Sequence, residues 1–321
     1  MERGAVTRGR VAGQIAGADA IEIKATIPDH QIKEALARFK LTTSNDEERF
    51  IYFFDTPKLD LLDAGIIARA RRVVGDAHDS TVKFRPVDPA GVSQRWRRYP
   101  DFKIEADASE TSLVKSASFS MPVLKGHIKR VAVGKKPISA IFTPAQMRFL
   151  DKIAGHKIDF GSLVVLGPLI AQRWRFEDPG CPWPITAELW NRADGKRMME
   201  LSIKARAVQA AVAVGGFMAF LAEVGAERDK DQQTKTRWAL EYYVSKLAET
   251  AVGNAVAKEA SGKKAKGKKA KGKKATGKKD AAKKATGKKG AAKKTTAKKP
   301  TAKAVGPTRR RKGRKPSRAR P

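Results

Sequence analysis

The sequence predicts an α+β domain followed by a disordered basic tail. Short segments in which apolar and charged residues alternate fill about 200 residues, which is typical of strands that bury one face. Two helix-like segments, about 206–224 and 231–249, come after them, and Lys-Lys dipeptides begin at Lys263. Strands followed by helices indicate either an antiparallel α+β sheet or a closed barrel with flanking helices.

The positive charge of the chain is concentrated at its C-terminal end. The 321 residues include 67 Lys and Arg against 33 Asp and Glu, a formal net charge of +34. Residues 258–321 hold 28 basic and 2 acidic residues, so this segment carries +26 and residues 1–257 carry +8. A uniformly basic DNA-binding fold is therefore excluded, and the domain and the tail need separate interpretations.

The first half of the domain is predicted to alternate strands with short helices. A strand is expected at 20–26, where apolar residues at 21, 23 and 25 alternate with polar ones. A helix follows at 31–39, with apolar residues at 32, 36 and 39 on one side. After a strand at 50–54, a short helix at 59–62 ends at Gly65, which fits a C-cap. Further strands are predicted at the following ranges: 67–72, 81–85 and 102–108.

The second half has one clear helix start and several strands. Thr143 is the expected N-cap and Pro144 the first residue of a helix within the mixed stretch 117–162. Strands are predicted at 163–166, 170–176, 186–191 and 197–203. The apolar stretch 207–222 is shorter than the roughly 20 residues that cross a bilayer, so a buried or interfacial helix and no membrane partner are expected.

Composition excludes several classes of site. A single cysteine, Cys181, allows neither a disulfide framework nor a cysteine-rich zinc site. The four histidines lack the spacing of metal ligands: His30, His78, His127 and His156. No apolar run follows the basic residues at the N-terminus, so a secretory signal is not expected. We therefore expect a cytoplasmic location, with nucleoid association through the tail.

Charged residues recur two positions apart on several predicted strands, and such residues project from the same face. These sets are Glu22 with Lys24, Arg69 with Arg71, Lys83 with Arg85, Lys103 with Glu105 and Asp107, and Arg173 with Arg175. The charged faces are either water-facing sides of a sheet or the interior of a barrel whose exterior is covered by helices. A charged interior would have to bind a compensating polyanion with metal, because unpaired buried charges are costly.

Several short motifs resemble the CYTH domain in their order and approximate spacing. They are Glu22-Ile23-Lys24, Tyr52-Phe53-Phe54-Asp55-Thr56, Ala68-Arg69-Ala70-Arg71, Thr81-Val82-Lys83-Phe84-Arg85, Glu188-Leu189-Trp190 with Asp194-Gly195, and Met199-Glu200-Leu201-Ser202. The CYTH domain defines the triphosphate tunnel metalloenzymes, which include class IV adenylyl cyclases, thiamine triphosphatases and inorganic triphosphatases. The resemblance covers about 19–250, and the stretches 81–89, 142–150, 163–168 and 232–241 are similar to a bacterial branch of the superfamily.

The resemblance implies a closed antiparallel barrel of about eight strands that encloses a tunnel. Basic residues of the tunnel would bind the triphosphate: Lys24, Arg69, Arg71, Lys83, Arg85, Arg173 and Arg175. Acidic residues would hold Mg²⁺ or Mn²⁺ or orient water: Glu22, Glu105, Asp107, Glu188 and Glu200. Arg makes bidentate contacts to phosphate, and carboxylates suit hard divalent cations. Catalysis of metal-assisted phosphoryl transfer is assigned to Glu22, Lys24 and Glu200.

The chain departs from the motifs of the superfamily at three expected carboxylate positions. Ala20 stands at the first position of E-x-E-x-K, and Trp190 and Ser202 replace acidic residues on the later strands. The expected function is a divalent-metal-dependent phosphohydrolase of triphosphate or polyphosphate. The alternative is a non-catalytic module that binds polyphosphate or nucleotide, because a tunnel that has lost metal ligands can still bind phosphates. Adenylyl cyclase activity is a third reading, and no adenine pocket is evident.

The tail repeats Lys-Lys every five residues, a period that forms no apolar face, so disorder is expected. It resembles the tails of linker histones and bacterial histone-like proteins. Binding of DNA or RNA without sequence preference, or of polyphosphate, is predicted through Lys263, Lys264, Lys268, Lys269, Lys273, Lys274, Arg309, Arg310 and Arg311. The predicted organisation is a disordered N-terminus at 1–18, a CYTH-like domain at 19–250 and the basic tail at 251–321, with the oligomeric state left open.

Overall fold

Nine strands close into a barrel in the computed structural model, which describes residues 15–108, 113–226 and 234–252. The strands are β1 Ala20–Ile27, β2 Glu47–Asp55, β3 Ile66–Val73, β4 His78–Phe84, β5 Phe102–Ala108, β6 Leu113–Val123, β7 Val164–Asp178, β8 Cys181–Asn191 and β9 Arg197–Arg206. Their order around the barrel is β1-β5-β6-β4-β3-β2-β7-β8-β9, and β9 pairs with β1. The predicted closed barrel with flanking helices is confirmed.

Helices lie outside and beside this barrel. They are α1 Ile32–Arg38, α2 Asp60–Asp63, α3 Gln94–Arg97, α4 His127–Ala132, α5 Pro144–Ala154, α6 Ala210–Glu223 and α7, residues 235–252. The predicted N-cap of α5 is confirmed, since Thr143 and Gln146 form a reciprocal capping box. Within the described residues, no helix combines the length and the apolar character needed to cross a bilayer.

The barrel differs from the expected one in strand number and in direction. β6 falls largely in the stretch that the sequence marks only as mixed, and the two strands predicted at 163–166 and 170–176 are the single strand β7. β1 and β5 run parallel, with Ala20 opposite Glu105 and Ile23 opposite Ala108, whereas the other pairs are antiparallel. The expectation of about eight strands, all antiparallel, is therefore corrected: the barrel has nine strands, and one of its pairs is parallel.

The apolar residues of most strands face outward, toward the helices. Ile21 and Ile23 on β1 are fully buried in a cluster with Phe217 and Phe220 of α6. Glu22 and Lys24, on the opposite parity of the same strand, line the interior. Burial of the outer face by helices therefore leaves the polar parity pointing into the barrel.

One part of the interior is apolar, and α7 packs against it. Phe53 of β2 and Trp190 of β8 belong to a buried cluster that includes Ala239 and Leu240 of α7. The Tyr243 hydroxyl donates a hydrogen bond of 2.6 Å to the carbonyl of Pro168. These contacts fix the helix on the barrel and place its first residue, Lys235, at the wall of the interior.

Several sequence predictions fall on residues outside the described ranges. They include the predicted polyanion-binding residues of the tail, Lys263, Lys264, Lys268, Lys269, Lys273, Lys274, Arg309, Arg310 and Arg311, and the first part of the predicted disordered N-terminus, 1–14. Of that N-terminal segment, the described residues 15–17 form a turn, and Ile15 is buried against the barrel.

Candidate anion-binding site in the barrel interior

The barrel encloses a cavity of about 380 Å³ whose wall is densely charged. Among the residues that the structure describes, eleven basic side chains line it: Lys24, Arg49, Arg69, Arg71, Lys83, Arg85, Lys103, Arg173, Arg175, Lys204 and Lys235. Five carboxylates accompany them: Glu22, Asp101, Glu105, Glu188 and Glu200. The described part of the wall thus carries a clear surplus of positive charge.

The structure brings together the residues that the sequence singled out. Eleven line the cavity: Glu22, Lys24, Arg69, Arg71, Lys83, Arg85, Glu105, Arg173, Arg175, Glu188 and Glu200. The twelfth, Asp107, lies behind the wall and contacts two of them. Residues two apart on β1, β3, β7 and β9 share the inner face, which explains why the period-two pattern selects them.

The first ion-pair cluster joins β1, β4 and β5. The ammonium of Lys24 lies 3.0 Å from Glu22 and 2.8 Å from Asp107, and the ammonium of Lys83 lies 2.7 Å from Asp107. Burial lowers the pKa of Lys24, but Glu22 and Asp107 outweigh it and hold this pKa well above its usual value. Burial also lowers the pKa of Lys83, and here it prevails over the pairing with Asp107.

The second cluster joins β8, β9 and α7. Lys235 places its ammonium 2.6 Å from Glu188 and 2.9 Å from Glu200. Burial raises the pKa of Glu188, but Lys235 and Arg49 lower it by more, so the group stays ionised. The same carboxylates outweigh the effect of burial on Lys235 and raise its pKa.

Three arginines of the interior have no such partner. Among the described residues, no carboxylate lies within 4.0 Å of the guanidinium of Arg69, Arg85 or Arg175. The Nε of Arg69 is buried without a hydrogen-bond acceptor. Burial and the neighbouring Arg71 lower the pKa of Arg69 to about 10, and burial with Arg49 and Arg175 lowers that of Arg173 to about 10. Both remain protonated at neutral pH, in surroundings that favour an added anion.

Four charged residues of the wall were not among the sequence predictions: Arg49, Asp101, Lys204 and Lys235. Arg49 is one residue before the predicted strand, and its guanidinium contacts Glu47 and lies 3.4 Å from Glu188. Extension of the predicted strand by one residue would have included it, since residues 49 and 51 lie on the same face of the strand. Lys235 lies on a helix distant in sequence, and only the tertiary packing of α7 reveals its position. Hydroxyl groups of Thr81, Ser118, Ser120, Thr186 and Ser202 also line the cavity.

The carboxylates expected to hold Mg²⁺ or Mn²⁺ are arranged as partners of lysine. Glu22 and Asp107 contact Lys24, Glu105 lies 2.8 Å from Lys204, and Glu188 and Glu200 share Lys235. In the described part of the chain, no group of three or more His, Cys, Asp or Glu residues is placed to hold a metal ion. This arrangement does not fit a divalent metal, which needs several oxygen ligands around one point.

Fold and site together define a closed barrel with a basic, hydroxyl-lined interior. No protein-family model and no curated protein matches the chain. Its backbone is similar to the structure described as a candidate adenylate cyclase from Bacillus halodurans, at 13% identity and a TM-score of 0.48, covering 68% of this chain and 97% of that one. It is also similar to HpAC1 from Hippeastrum, described with a dominant triphosphatase activity, at 16% identity, a TM-score of 0.47 and coverage of 67% and 92%. The structure of PH1819 from Pyrococcus horikoshii is similar at 13% identity and a TM-score of 0.36, covering 67% of this chain and 94% of that one.

Proposed function

We propose that the barrel interior binds a triphosphate or polyphosphate chain. The observation that carries this proposal is a set of three arginines, Arg69, Arg85 and Arg175, that line the cavity without a carboxylate partner among the described residues. The Nε of Arg69 is buried and has no hydrogen-bond acceptor. Buried charges are costly unless they are paired, and crowded like charges add to this cost. A multiply charged anion inside the barrel supplies the missing partners.

The chemistry of the wall favours phosphate over a carboxylate ligand. Guanidinium groups on β3, on β7 and at Arg85, directly after β4, approach the cavity from different sides, so they can bind successive phosphates of an extended chain. Hydroxyl groups such as Thr81 and Ser118 add neutral donors to phosphate oxygens. The volume of about 380 Å³ is within the range of small-ligand sites. The resemblance to the CYTH domain in the sequence supports the same ligand class.

Metal-dependent hydrolysis is the second candidate function. It is favoured by the presence of Glu22, Glu105, Glu188 and Glu200 in the same cavity as the cations. In this candidate Glu22, Lys24 and Glu200 are the catalytic residues. The lysine contacts of these carboxylates favour the binding module, because they leave no open cluster of oxygen ligands for Mg²⁺ or Mn²⁺. Adenylyl cyclase activity is not proposed.

Calorimetric titration of the full chain with tripolyphosphate tests the proposal. We expect Arg69→Ala and Arg175→Ala to weaken binding by about tenfold or more each, since each removes a charge-assisted contact worth roughly 1.5–3 kcal/mol. The control is Arg237→Ala, because Arg237 lies outside the cavity and pairs with Asp63. Wild-type affinity in both cavity variants contradicts the proposal. Phosphate release measured in the same samples with Mg²⁺ or Mn²⁺ decides between hydrolase and binding module.

We propose that the basic tail binds nucleic acid or polyphosphate without sequence preference. A cytoplasmic protein with such a tail would associate with the nucleoid. Its support is the +26 charge of residues 258–321.

A further inference from the structure

Glu188 and Glu200 face each other directly across two neighbouring strands. They are register partners in the antiparallel β8–β9 pair, and both side chains line the cavity. Like charges opposite each other destabilise a sheet, and the cost rises where the pair is partly buried. A cation between the two carboxylates is therefore required for both to stay ionised.

Lys235 supplies that cation in this structure. Its ammonium contacts both carboxylates, and its side chain is 11% exposed. It also lies 5.0 Å from the ring centroid of Trp190, which stands where the superfamily motif has an acidic residue. A cation over an indole ring gains further stabilisation in a desolvated site.

The helix that carries Lys235 is held firmly on the barrel. Leu240 is 2% exposed within the cluster that contains Phe53 and Trp190. At the surface, Arg237 lies 3.1 Å from Asp63 on α2. The ammonium is therefore delivered by a packed element, and withdrawing it would require α7 or its first turn to leave the barrel.

We propose that Lys235 is a tethered cation that takes the place of a divalent metal between Glu188 and Glu200, so that the interior binds phosphate chains without a metal. The exclusion of metal follows from the geometry of the three residues. The metal-independent binding of phosphate rests on the proposed function. Phosphates then contact the unpaired arginines directly, and the carboxylates are neutralised by lysine.

Titration of the full chain with Mn²⁺, followed by electron paramagnetic resonance, tests the exclusion of metal. Wild type and Glu200→Gln are expected to give superimposable titrations. Lys235→Met is expected to bind one additional Mn²⁺ per chain, with a dissociation constant of about 0.1–1 mM, the weak end of the range for oxygen-ligand sites of divalent cations. This extra ion must disappear in Lys235→Met combined with Glu200→Gln. The control, Lys246→Met, removes an exposed lysine of the same helix and should match wild type.

Two results overturn the assignment of Lys235 as the cation that takes the place of a metal. One is tighter Mn²⁺ binding by wild type than by Glu200→Gln, which shows that the carboxylates hold metal despite Lys235. The other is a Lys235→Met protein with a wild-type circular dichroism spectrum and no additional Mn²⁺. The comparison of wild type with Glu200→Gln contains no Lys235 variant. It therefore shows whether the carboxylates hold metal even where Lys235→Met does not fold.

Tripolyphosphate affinity, measured once with chelator and once with Mg²⁺, tests the second part of the proposal, that phosphate binds without a metal. Wild type is expected to bind at least as tightly in chelator as with Mg²⁺, which neutralises part of the charge of the ligand, whereas Lys235→Met should bind about tenfold more weakly in chelator and recover with Mg²⁺. Wild-type binding that requires Mg²⁺ overturns the tethered-cation proposal. Absence of tripolyphosphate binding under every condition overturns the proposed function instead, and the Mn²⁺ titrations then still decide the role of Lys235.

Discussion

Asp107 is the anionic centre of the lysine cluster in the interior. It is 12% exposed and contacts the ammonium groups of Lys24 and Lys83, while the Ser116 hydroxyl donates to it at 3.1 Å. Removal of this charge leaves two neighbouring ammonium groups with one fewer counterion. We expect Asp107→Asn to lower the free energy of unfolding by about 3–5 kcal/mol, as for other broken buried pairs. Urea unfolding measures it, and a loss below about 1 kcal/mol contradicts the assignment.

The same carboxylate predicts a pH dependence of stability. Burial raises the pKa of Asp107, but Lys24 and Lys83 outweigh it and hold the pKa well below its usual range. Because the folded pKa is depressed, the stabilisation is fully present above the unfolded pKa of about 3.9 and is lost as the pH falls toward the folded pKa. The stability difference between wild type and Asp107→Asn should therefore be constant from about pH 5 to 8 and shrink below about pH 4. A difference that instead shrinks between pH 5 and 8 would sink this account.

At the scale of elements, α7 determines one wall of the site. Its apolar residues pack on the barrel, and its first residue enters the cavity. Truncation of a buried leucine removes this packing, so Leu240→Ala should destabilise the protein by about 2–5 kcal/mol. In this variant, amide hydrogen exchange should be faster in α7 than in β5 and β6, which contribute no residue to the cluster around Leu240. Leu247→Ala, at a partly exposed position on the same helix, is the matched control.

Sequence patterns predict most elements where one face is apolar and the other charged. β1, β3 and β5 have this alternation, and their inward residues were recognised as site candidates. β6 was missed because its inward positions are serines, Ser116, Ser118 and Ser120, which carry no charge pattern. Gly167-Pro168 is typical of a strand end, so two strands were predicted here. In the structure, β7 continues through this dipeptide because its register against β2 shifts at that point. The position of Lys235 depends on long-range packing, which no local period encodes.

At the scale of the whole molecule, the two parts of the chain divide the positive charge. The barrel interior contains basic side chains in fixed positions, some paired with carboxylates and some not. The tail, residues 258–321, carries a net charge of +26 and has no aromatic residue. Deletion of 258–321 should abolish duplex DNA binding. In the full chain the affinity should fall roughly a thousandfold or more between 50 and 200 mM salt, if about six to ten phosphates are contacted. Filter binding measures both, and Arg69→Ala should bind DNA as wild type does. Undiminished DNA binding after the deletion contradicts the proposed role of the tail.

The most direct test of the central claim is a crystal structure of the full chain with tripolyphosphate in the presence of chelator. We expect phosphate density inside the barrel, in contact with Arg69, Arg175 and Lys83, with Lys235 still between Glu188 and Glu200. Phosphate found only on the outer surface, with the interior arginines unoccupied at saturating ligand, would contradict it.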